Sequence, residues 1–245
     1  MNKIKQNKVN FILILITIIL SFSSLTLLSL PVLFNYESKV AKIEKNFYQN
    51  FKIYLKISGK ISYKPFPKPH LLVENAQISL NETKDNNLIN TNNLKIYVSF
   101  KDMYTRSFKN FNSTEISNTN FEFKINNIKE IRDHLYKKIN KPIIIKNCKI
   151  FLRNNSDEVI FISPINKISY KINEKNKQKN FIIDGKIFGI NFKSNWFRNY
   201  MFPNISNHNL DLFKPNIEIE NKLETKGNDN FEINKSIKYL QEKLR

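Results

Sequence analysis

The sequence predicts a mainly β protein with one N-terminal transmembrane helix, a mostly antiparallel sheet and a few short helices. Three observations support this fold class: an uncharged apolar run near the N-terminus, alternating apolar and polar residues through most of the remaining chain, and short polar stretches between the alternating ones. Successive strands joined by short polar turns favour antiparallel pairing over parallel strands with crossover helices. A chain of 245 residues, 41% of them hydrophobic, can bury a sizeable core.

The first element is a candidate membrane anchor. Lys3, Lys5 and Lys8 precede a run from Phe11 to Phe34 that contains no charged residue. About 20 apolar residues suffice to cross a bilayer as a helix. A cleaved signal peptide would have a shorter apolar region followed by small residues, whereas bulky residues follow this run. We therefore expect an uncleaved anchor in a bacterial inner membrane, with the lysines cytoplasmic and the remaining chain periplasmic.

The net charge of +19 by itself suggests a nucleic-acid partner, because clustered cations release counterions from phosphate backbones. The excess is mostly lysine, however, spread along the chain and accompanied by many Asn and Ile residues, which A- and T-rich codons encode. Base composition thus accounts for the charge without a ligand. An exported location also argues against nucleic acid, so we expect no such partner.

Two segments after the anchor show helical spacing. Val40, Ile43, Phe47 and Phe51 recur every three or four residues, and a second such pattern covers Ile128 to Ile139. The sequence "KDMYTRSF" suggests a single helical turn, and "INKSIKYLQEKLR" suggests a terminal helix.

The other segments alternate as strands do. These are "FKIYLKISGKISY", "LLVENAQISL", "LKIYVSF", "FEFKI", "PIIIKNCKIFL", "EVIFI", "INKISYKI" and "FIIDGKIFGINFKSNWF", with weaker strands in "NLDLFKPNIEIENKLE". The alternation changes face between Ile187 and Phe188, in a run that contains Gly185 and Gly189, which indicates a bulge or tight turn. Pro65, Pro67 and Pro69 exclude a helix, and we expect there a stiff extended crossing that keeps the preceding strand from pairing continuously with the next.

These patterns divide the chain into four parts. They are a cytoplasmic tail (1–10), the anchor (11–34), a periplasmic sheet domain (35–200) and a terminal part with one or more strands and a short helix (201–245).

The sequence shows no catalytic or metal-binding motif. His70, His134 and His208 lie far apart, with no ligand at a metal-site spacing, and no nucleophile elbow or phosphate-binding loop occurs. Cys148 is the single cysteine, so no intramolecular disulfide can form, and its strand-like surroundings suggest a buried apolar role. We expect a non-enzymatic protein without a cofactor.

The order of these parts resembles the N-terminal region of the AsmA family of bacterial envelope proteins. A lysine-rich start and one membrane helix precede a P-x-P element and an alternating strand, matched here by Pro67, Pro69, Leu71, Val73 and Ile78. The stretches "IIIKNCKIFL" and "FIIDGKIFGINF" resemble later strand pairs of that family. The chain departs from it in using Asn and Lys where small residues are usual, and in being short.

The resemblance implies a membrane-anchored β-groove whose apolar concave face accepts phospholipid acyl chains, in a protein of lipid transport and outer-membrane assembly. The groove candidates are Leu94, Ile96, Val98, Phe121, Phe123, Ile168, Tyr170, Ile172, Phe181, Ile183, Ile190 and Phe192. The same residues equally suit an ordinary sheet core. Expected partners are the membrane, acyl chains and other envelope-biogenesis proteins.

Two alternatives remain open at this point. One is an assembly factor or scaffold that binds no lipid and offers its sheet edges to outer-membrane proteins by strand addition. The other is an exported hydrolase whose groups come together only in the fold.

Overall fold

The structure is a computed structural model that describes residues 2–81, 87–128, 130–131, 134, 138–202, 205–214, 216–225 and 231–239. Its helices are α1 (Asn2–Ser29), α2 (Val40–Phe51) and α3 (Phe100–Tyr104), with short 3-10 turns at Leu30–Leu33, Glu37–Lys39 and Ile125–Asn127. Residues Phe11–Leu33 form a helical segment that is long and apolar enough to cross a membrane.

Fifteen strands form one mixed sheet. They are β1 (Tyr54–Ile57), β2 (Ile61–Lys64), β3 (His70–Val73), β4 (Ala76–Ser79), β5 (Asn87–Thr91), β6 (Leu94–Val98), β7 (Phe111–Ser117), β8 (Asn120–Lys124), β9 (Ile143–Arg153), β10 (Val159–Asn173), β11 (Gln178–Ile187), β12 (Ile190–Asn199), β13 (Ile205–Phe213), β14 (Asn216–Thr225) and β15 (Phe231–Tyr239). The predicted fold class is confirmed.

Strand β9 is the point at which the sheet divides. One of its edges pairs with β10, from which β11 to β15 follow as an antiparallel meander in chain order. Its other edge pairs in parallel with β7 over Ile143–Lys146 and with β8 over Lys149–Arg153. Two branches start there, β7-β6-β3-β2 and β8-β5-β4-β1. The pairs within the branches and the meander are antiparallel, as predicted.

Helix α2, which the spacing predicted, packs against β1 of one branch and β7 of the other. Ile43, Phe47 and Phe51 are buried. Phe47 and Phe51 lie 4.6 Å apart between ring centroids, and both pack on Phe111 at the start of β7. The other branch is tied to the helix where the Glu44 carboxylate accepts a 2.6 Å hydrogen bond from the amide of Ile57. The helix thus closes a core between β1 and β7.

The proline segment is not the extended crossing that the sequence suggested. Lys64 pairs with His70, so Pro65, Pro67 and Pro69 form the loop of the β2–β3 hairpin. Loop residues need not donate to a ladder, which is why prolines are tolerated there. The strand before them is interrupted instead at Gly59, where a Cβ atom would lie 2.2 Å from the Glu74 carbonyl oxygen.

The predicted turns are confirmed, whereas two predicted strand boundaries change. The tight turn is confirmed, since Phe188 and Gly189 have φ values of 50° and 81° and join β11 to β12. The single turn at α3 is confirmed, and "EVIFI" and "INKISYKI" form one strand, β10. The strand predicted from Phe51 begins only at Tyr54, because α2 runs through Phe51.

The prediction of a terminal helix is wrong for the described residues, because Phe231–Tyr239 form strand β15. Residues 240–245 lie outside the described residues. Of the helix predicted over Ile128 to Ile139, the described residues Ile128, Ile131 and His134 are helical, Ile139 is not, and Leu135 lies outside the described residues.

Candidate functional site

The sheet carries one continuous apolar face, which its register makes visible. Paired residues of neighbouring strands point to the same side of a sheet. One such row crosses the molecule from β6 to β15 and comprises Leu94, Ile116, Ile145, Ile168, Ile183, Ser194, Leu210, Ile219 and Ile237. Eight of these nine residues are aliphatic. The neighbouring positions on the opposite face of β13 and β14, such as Asn209, Asp211, Glu218 and Glu220, are polar.

Exposure along this row is lowest at its β6 end and highest at its β15 end, although Ser194 in β12 is only 5% exposed. Leu94 is 0% exposed and Ile168 is 6% exposed, whereas Ile183, Leu210 and Ile219 are half-buried and Ile237 is 49% exposed. The change follows from the cover, because α2 and the two branches enclose the β6 end of the row. We call the apolar side of β11 to β15 the distal face. Its side chains are the part of the row with accessible apolar surface.

The twelve predicted groove residues divide between these two environments. Seven are buried in the common core: Leu94, Ile96, Val98, Phe121, Ile168, Tyr170 and Phe192. Four are half-buried and pack against that core: Phe123, Ile172, Phe181 and Ile183. Ile190 is half-buried beside the β11–β12 turn. For fully buried residues such as Leu94 and Ile96, protein atoms already occupy the surroundings, so only the half-buried ones have surface left for a ligand.

The residues that extend the distal face were not among those predicted from the sequence. Leu210, Leu212, Ile217 and Ile219 pair across β13 and β14 in register with the candidates. The signal was present, because "NLDLF" and "NIEIE" alternate strictly, but these segments ranked only as weak strands. Their register against β12, which the sequence does not show, brings them to the same face.

A polar cluster lies within the distal face. The Ser194 hydroxyl accepts a 2.9 Å hydrogen bond from the Trp196 indole and lies 3.0 Å from Nε2 of His208. The indole and imidazole rings stack at 3.9 Å between centroids. Burial lowers the pKa of His208, which keeps the imidazole neutral at pH 7.

The serine and histidine resemble a hydrolytic pair, but their hydrogen bonds oppose that use. Nδ2 of Asn221 lies 3.3 Å from Nδ1 of His208. An amide N–H donates, so Nδ1 accepts and the proton of the neutral ring lies on Nε2, from which it is donated to Ser194. A general base needs a free lone pair at that nitrogen. The cluster in this arrangement satisfies polar side chains on an apolar face and does not activate Ser194.

Two cations lie at one end of the distal face. Lys179 and Arg198 are register partners on β11 and β12, two residues along each strand from the Phe181–Trp196 pair. The Lys179 ammonium donates to the Ile139 carbonyl at 3.1 Å and to the Asn140 side chain at 3.0 Å. Burial, with a smaller contribution from the Arg198 charge, lowers the pKa of Lys179. Neighbouring like charges of this kind favour an anion beside them.

The remaining titratable groups of interest lie elsewhere. His70 is buried beside Tyr97. Nε2 of His134 lies 2.5 Å from the Lys52 carbonyl oxygen. The three histidines are therefore not brought together. Cys148 is buried in the core, and burial raises the pKa of its thiol to about 11. Among the described residues there is no group of three or more His, Cys, Asp or Glu side chains that could hold a metal.

Comparison of the sequence with protein-family models and with curated proteins finds no match.

Proposed function

We propose that this is a membrane-anchored, non-enzymatic envelope protein of the AsmA type whose distal face binds phospholipid acyl chains and lets them move. The single observation that carries the proposal is the apolar row that continues from the closed core onto the distal face, where Ile183, Leu210 and Ile219 are only half-buried and Ile237 is 49% exposed. An apolar sheet face must pack on another layer or on a ligand. Anchoring in a bilayer supplies lipid as the nearest apolar ligand.

The energetics suit transfer better than tight storage. Each buried methylene contributes about 0.8 kcal/mol. Because Ile183, Leu210 and Ile219 present similar aliphatic surfaces, an acyl chain that slides from one to the next exchanges equivalent contacts. The attraction for the chain is then large, and the barrier to movement along it is small.

The cations give the proposed ligand an orientation. A phosphate headgroup beside Lys179 and Arg198 would pair with both charges, while its acyl chains extend over Phe181 and Ile183. In the proposed location the lysines at the start of α1 remain cytoplasmic, the anchor crosses the bacterial inner membrane and the sheet is periplasmic, where it serves outer-membrane biogenesis.

The proposal is tested by native mass spectrometry of the full-length protein, extracted gently from membranes, with lipid analysis of what remains bound. The informative variant is Leu210→Gln with Ile219→Gln. Its matched control is Asn209→Gln with Glu218→Gln, which changes the adjacent residues of the same strands on the opposite face. Loss of about 1.5 kcal/mol or more of apolar contact per residue should reduce retained phospholipid at least about tenfold in the first variant.

The control should retain as much lipid as the parent protein. Circular dichroism establishes that both variants keep their strands. Equal lipid retention in the two variants, or a folded parent protein free of lipid, would contradict the proposal, since annular lipid around α1 is unaffected by either change.

A second candidate function rests on a different feature, the edge at β15. Its inner edge pairs with β14 from Phe231 to Tyr239, and no described strand pairs with its outer edge. An unpaired strand edge can accept a strand of a client protein. A lipid-free parent protein that cross-links to outer-membrane proteins through cysteines introduced at Asn234 and Ser236 would favour this assembly-factor function.

A further inference from the structure

The C-terminal end of the anchor packs against the sheet domain. The hydroxyl of Tyr36 donates a 2.5 Å hydrogen bond to the Pro31 carbonyl oxygen and lies 3.5 Å from the sulfur of Met103 in α3. Tyr36, Pro31 and Met103 are all buried, and the Tyr36 ring packs edge-on against Phe108 at 6.1 Å. The last turn of the anchor is therefore fixed against α3.

Two further contacts reach along the anchor itself. The Tyr104 hydroxyl of α3 donates to the carbonyl oxygen of Leu27. The guanidinium of Arg106 lies 4.1 Å from the ring centroid of Phe34. Strand β2 also packs against the 3-10 turn Leu30–Leu33. Both α3 and the β2–β3 hairpin thus lie beside the end of the anchor.

These contacts fix the depth of α3 once the anchor crosses a bilayer. Phe11–Leu33 contains 23 residues, about 34 Å of helix against a hydrocarbon core of about 30 Å. Leu27 lies six residues before Leu33, which is about 9 Å along the axis. The Tyr104 hydroxyl then lies about 5–7 Å inside the hydrocarbon boundary, in the outer part of the leaflet.

The side chains around this joint have the composition of a membrane interface. Phe66 in the β2–β3 loop is 63% exposed, and Phe100 and Tyr104 of α3 are exposed too. Exposed cations accompany them, namely Lys64, Lys68, Lys101 and Arg106. Asp102, the one acidic residue in these two segments, is buried and accepts hydrogen bonds from the Ser99 and Ser107 hydroxyls.

We propose that this collar, defined as Phe66, Phe100 and Tyr104 with Lys64, Lys68, Lys101 and Arg106, docks on the surface of the bilayer that holds α1. Aromatic side chains favour the headgroup level, and lysine and arginine pair with lipid phosphates there. The collar then holds the sheet at a fixed angle to the membrane. This inference rests on α1 crossing the bilayer and is independent of lipid binding to the distal face.

The test uses single-cysteine variants of the full-length protein in a Cys148→Ala background, labelled with an environment-sensitive fluorophore. The labelled positions are Phe66→Cys and Phe100→Cys in the collar, Leu20→Cys in the anchor, and Phe188→Cys as the control. Phe188 is an aromatic residue that is 87% exposed at the β11–β12 turn, at the opposite end of the strands. The proteins are reconstituted in phosphatidylcholine–phosphatidylglycerol vesicles with spin-labelled lipid as a quencher.

We expect lipid-borne quenching of the two collar labels to exceed that of the Phe188 label several-fold, and aqueous iodide to show the reverse order. The Leu20 label should be quenched most by spin labels deep in the acyl chains. The inference is overturned if the collar labels behave like the Phe188 label while the Leu20 label is quenched. It is equally overturned if the Leu20 label is not quenched, because the anchor then does not lie in the bilayer.

Discussion

The region from α2 to β9 and the region from β10 to β15 show the same alternating pattern, but their apolar faces are buried to different extents. In most strands of both regions apolar residues alternate with polar ones, and the register places the apolar residues on one side. Leu94 in the first region is 0% exposed, whereas Ile237 in the second is 49% exposed on the same cross-strand row. The difference lies in the cover, because the common core encloses the first region and in the second reaches only β10 and part of β12, where Ile168, Tyr170 and Phe192 are buried.

Alternation therefore decides which residues share a face of the sheet, but not whether other protein atoms bury that face. A sheet face gains stability only from the surface it removes from water. The first region removes nearly all of it with protein atoms alone. The second leaves surface that a ligand can cover, and the stability of the two regions should therefore respond differently to the same change.

The largest expected contrast is between Leu94→Ala and Leu210→Ala, which delete the same atoms from one row. Removing a fully buried leucine leaves a cavity and costs about 2–5 kcal/mol, whereas the half-buried Leu210 should cost about 1.5 kcal/mol or less. Denaturant unfolding of the full-length protein in detergent, followed by circular dichroism, measures both. Equal losses would mean that the distal face is as closed as the core.

A second contrast concerns charge in the first region. The Glu115 carboxylate is 7% exposed and contacts Lys95 at 3.0 Å and Lys146 at 2.8 Å. Burial by itself would raise the pKa of Glu115, but the hydrogen bonds from Lys146 and Lys95 outweigh it and the pKa is lowered. Glu115→Gln should cost about 1.5–3 kcal/mol at pH 7.

The sign of its pH dependence follows from the lowered pKa. The stabilisation by Glu115 is complete above the ordinary glutamate pKa of 4.5 and is lost as pH falls through the lower folded-state pKa. The difference between parent and variant should therefore shrink in that acidic range. Glu122→Gln serves as a control, since its 3.0 Å pair with Arg153 is exposed and should contribute at most about 1 kcal/mol. A deficit of Glu115→Gln that is independent of pH would contradict the assignment.

A third prediction concerns Gly185 of β11, which lies against β10 within the second region. A Cβ atom there would lie 2.7 Å from the Pro164 carbonyl oxygen and 2.7 Å from Cδ1 of Ile165 on β10. Gly185→Ala should cost about 1–3 kcal/mol through overpacking. Ile165→Val removes Cδ1 and should restore part of that loss, whereas it should not restore Gly189→Ala, whose Cβ meets no atom within 4 Å. Additive effects of Gly185→Ala and Ile165→Val in thermal unfolding would count against this close approach.

The smallest effect is expected on the polar face of the second region. Glu220 of β14 lies 3.3 Å from the Lys238 ammonium of β15, and both side chains are exposed. Glu220→Gln should change the free energy of unfolding by less than about 1 kcal/mol. A larger loss in the same unfolding measurement would show that the polar face, and not the apolar one, holds β14 and β15 together.

How much of the structure could be predicted from the sequence depends on how far apart in the chain the interacting residues lie. The anchor, helix α2 and the β11–β12 turn were predictable because each is encoded by spacing within a few residues. β5 and β7 escaped notice because Asn, Ser and Thr dominate them, and a register shift between Tyr97 and Val98 interrupts the alternation of β7 against β6. Their strand conformation comes from pairing with β4, β6, β8 and β9.

Strand β15 shows why a local pattern can mislead. Ile233 and Ile237 are four residues apart, a spacing that places two residues on one face of a helix and equally on one face of a strand. Only the pairing with β14 across nine residue pairs decides between them. The prolines at 65–69 are a similar case, since their fixed torsions suit a loop as well as an extended segment.

Residue type and near spacing alone encode the apolar N-terminal helix, the alternation that gives the sheet two faces, and the lack of a recognisable catalytic motif. The tertiary structure alone decided that β9 divides the sheet, that α2 closes one region, and that Ser194 meets His208 on the distal face. Those features depend on register between strands distant in the chain, and no residue encodes its own partner across a sheet.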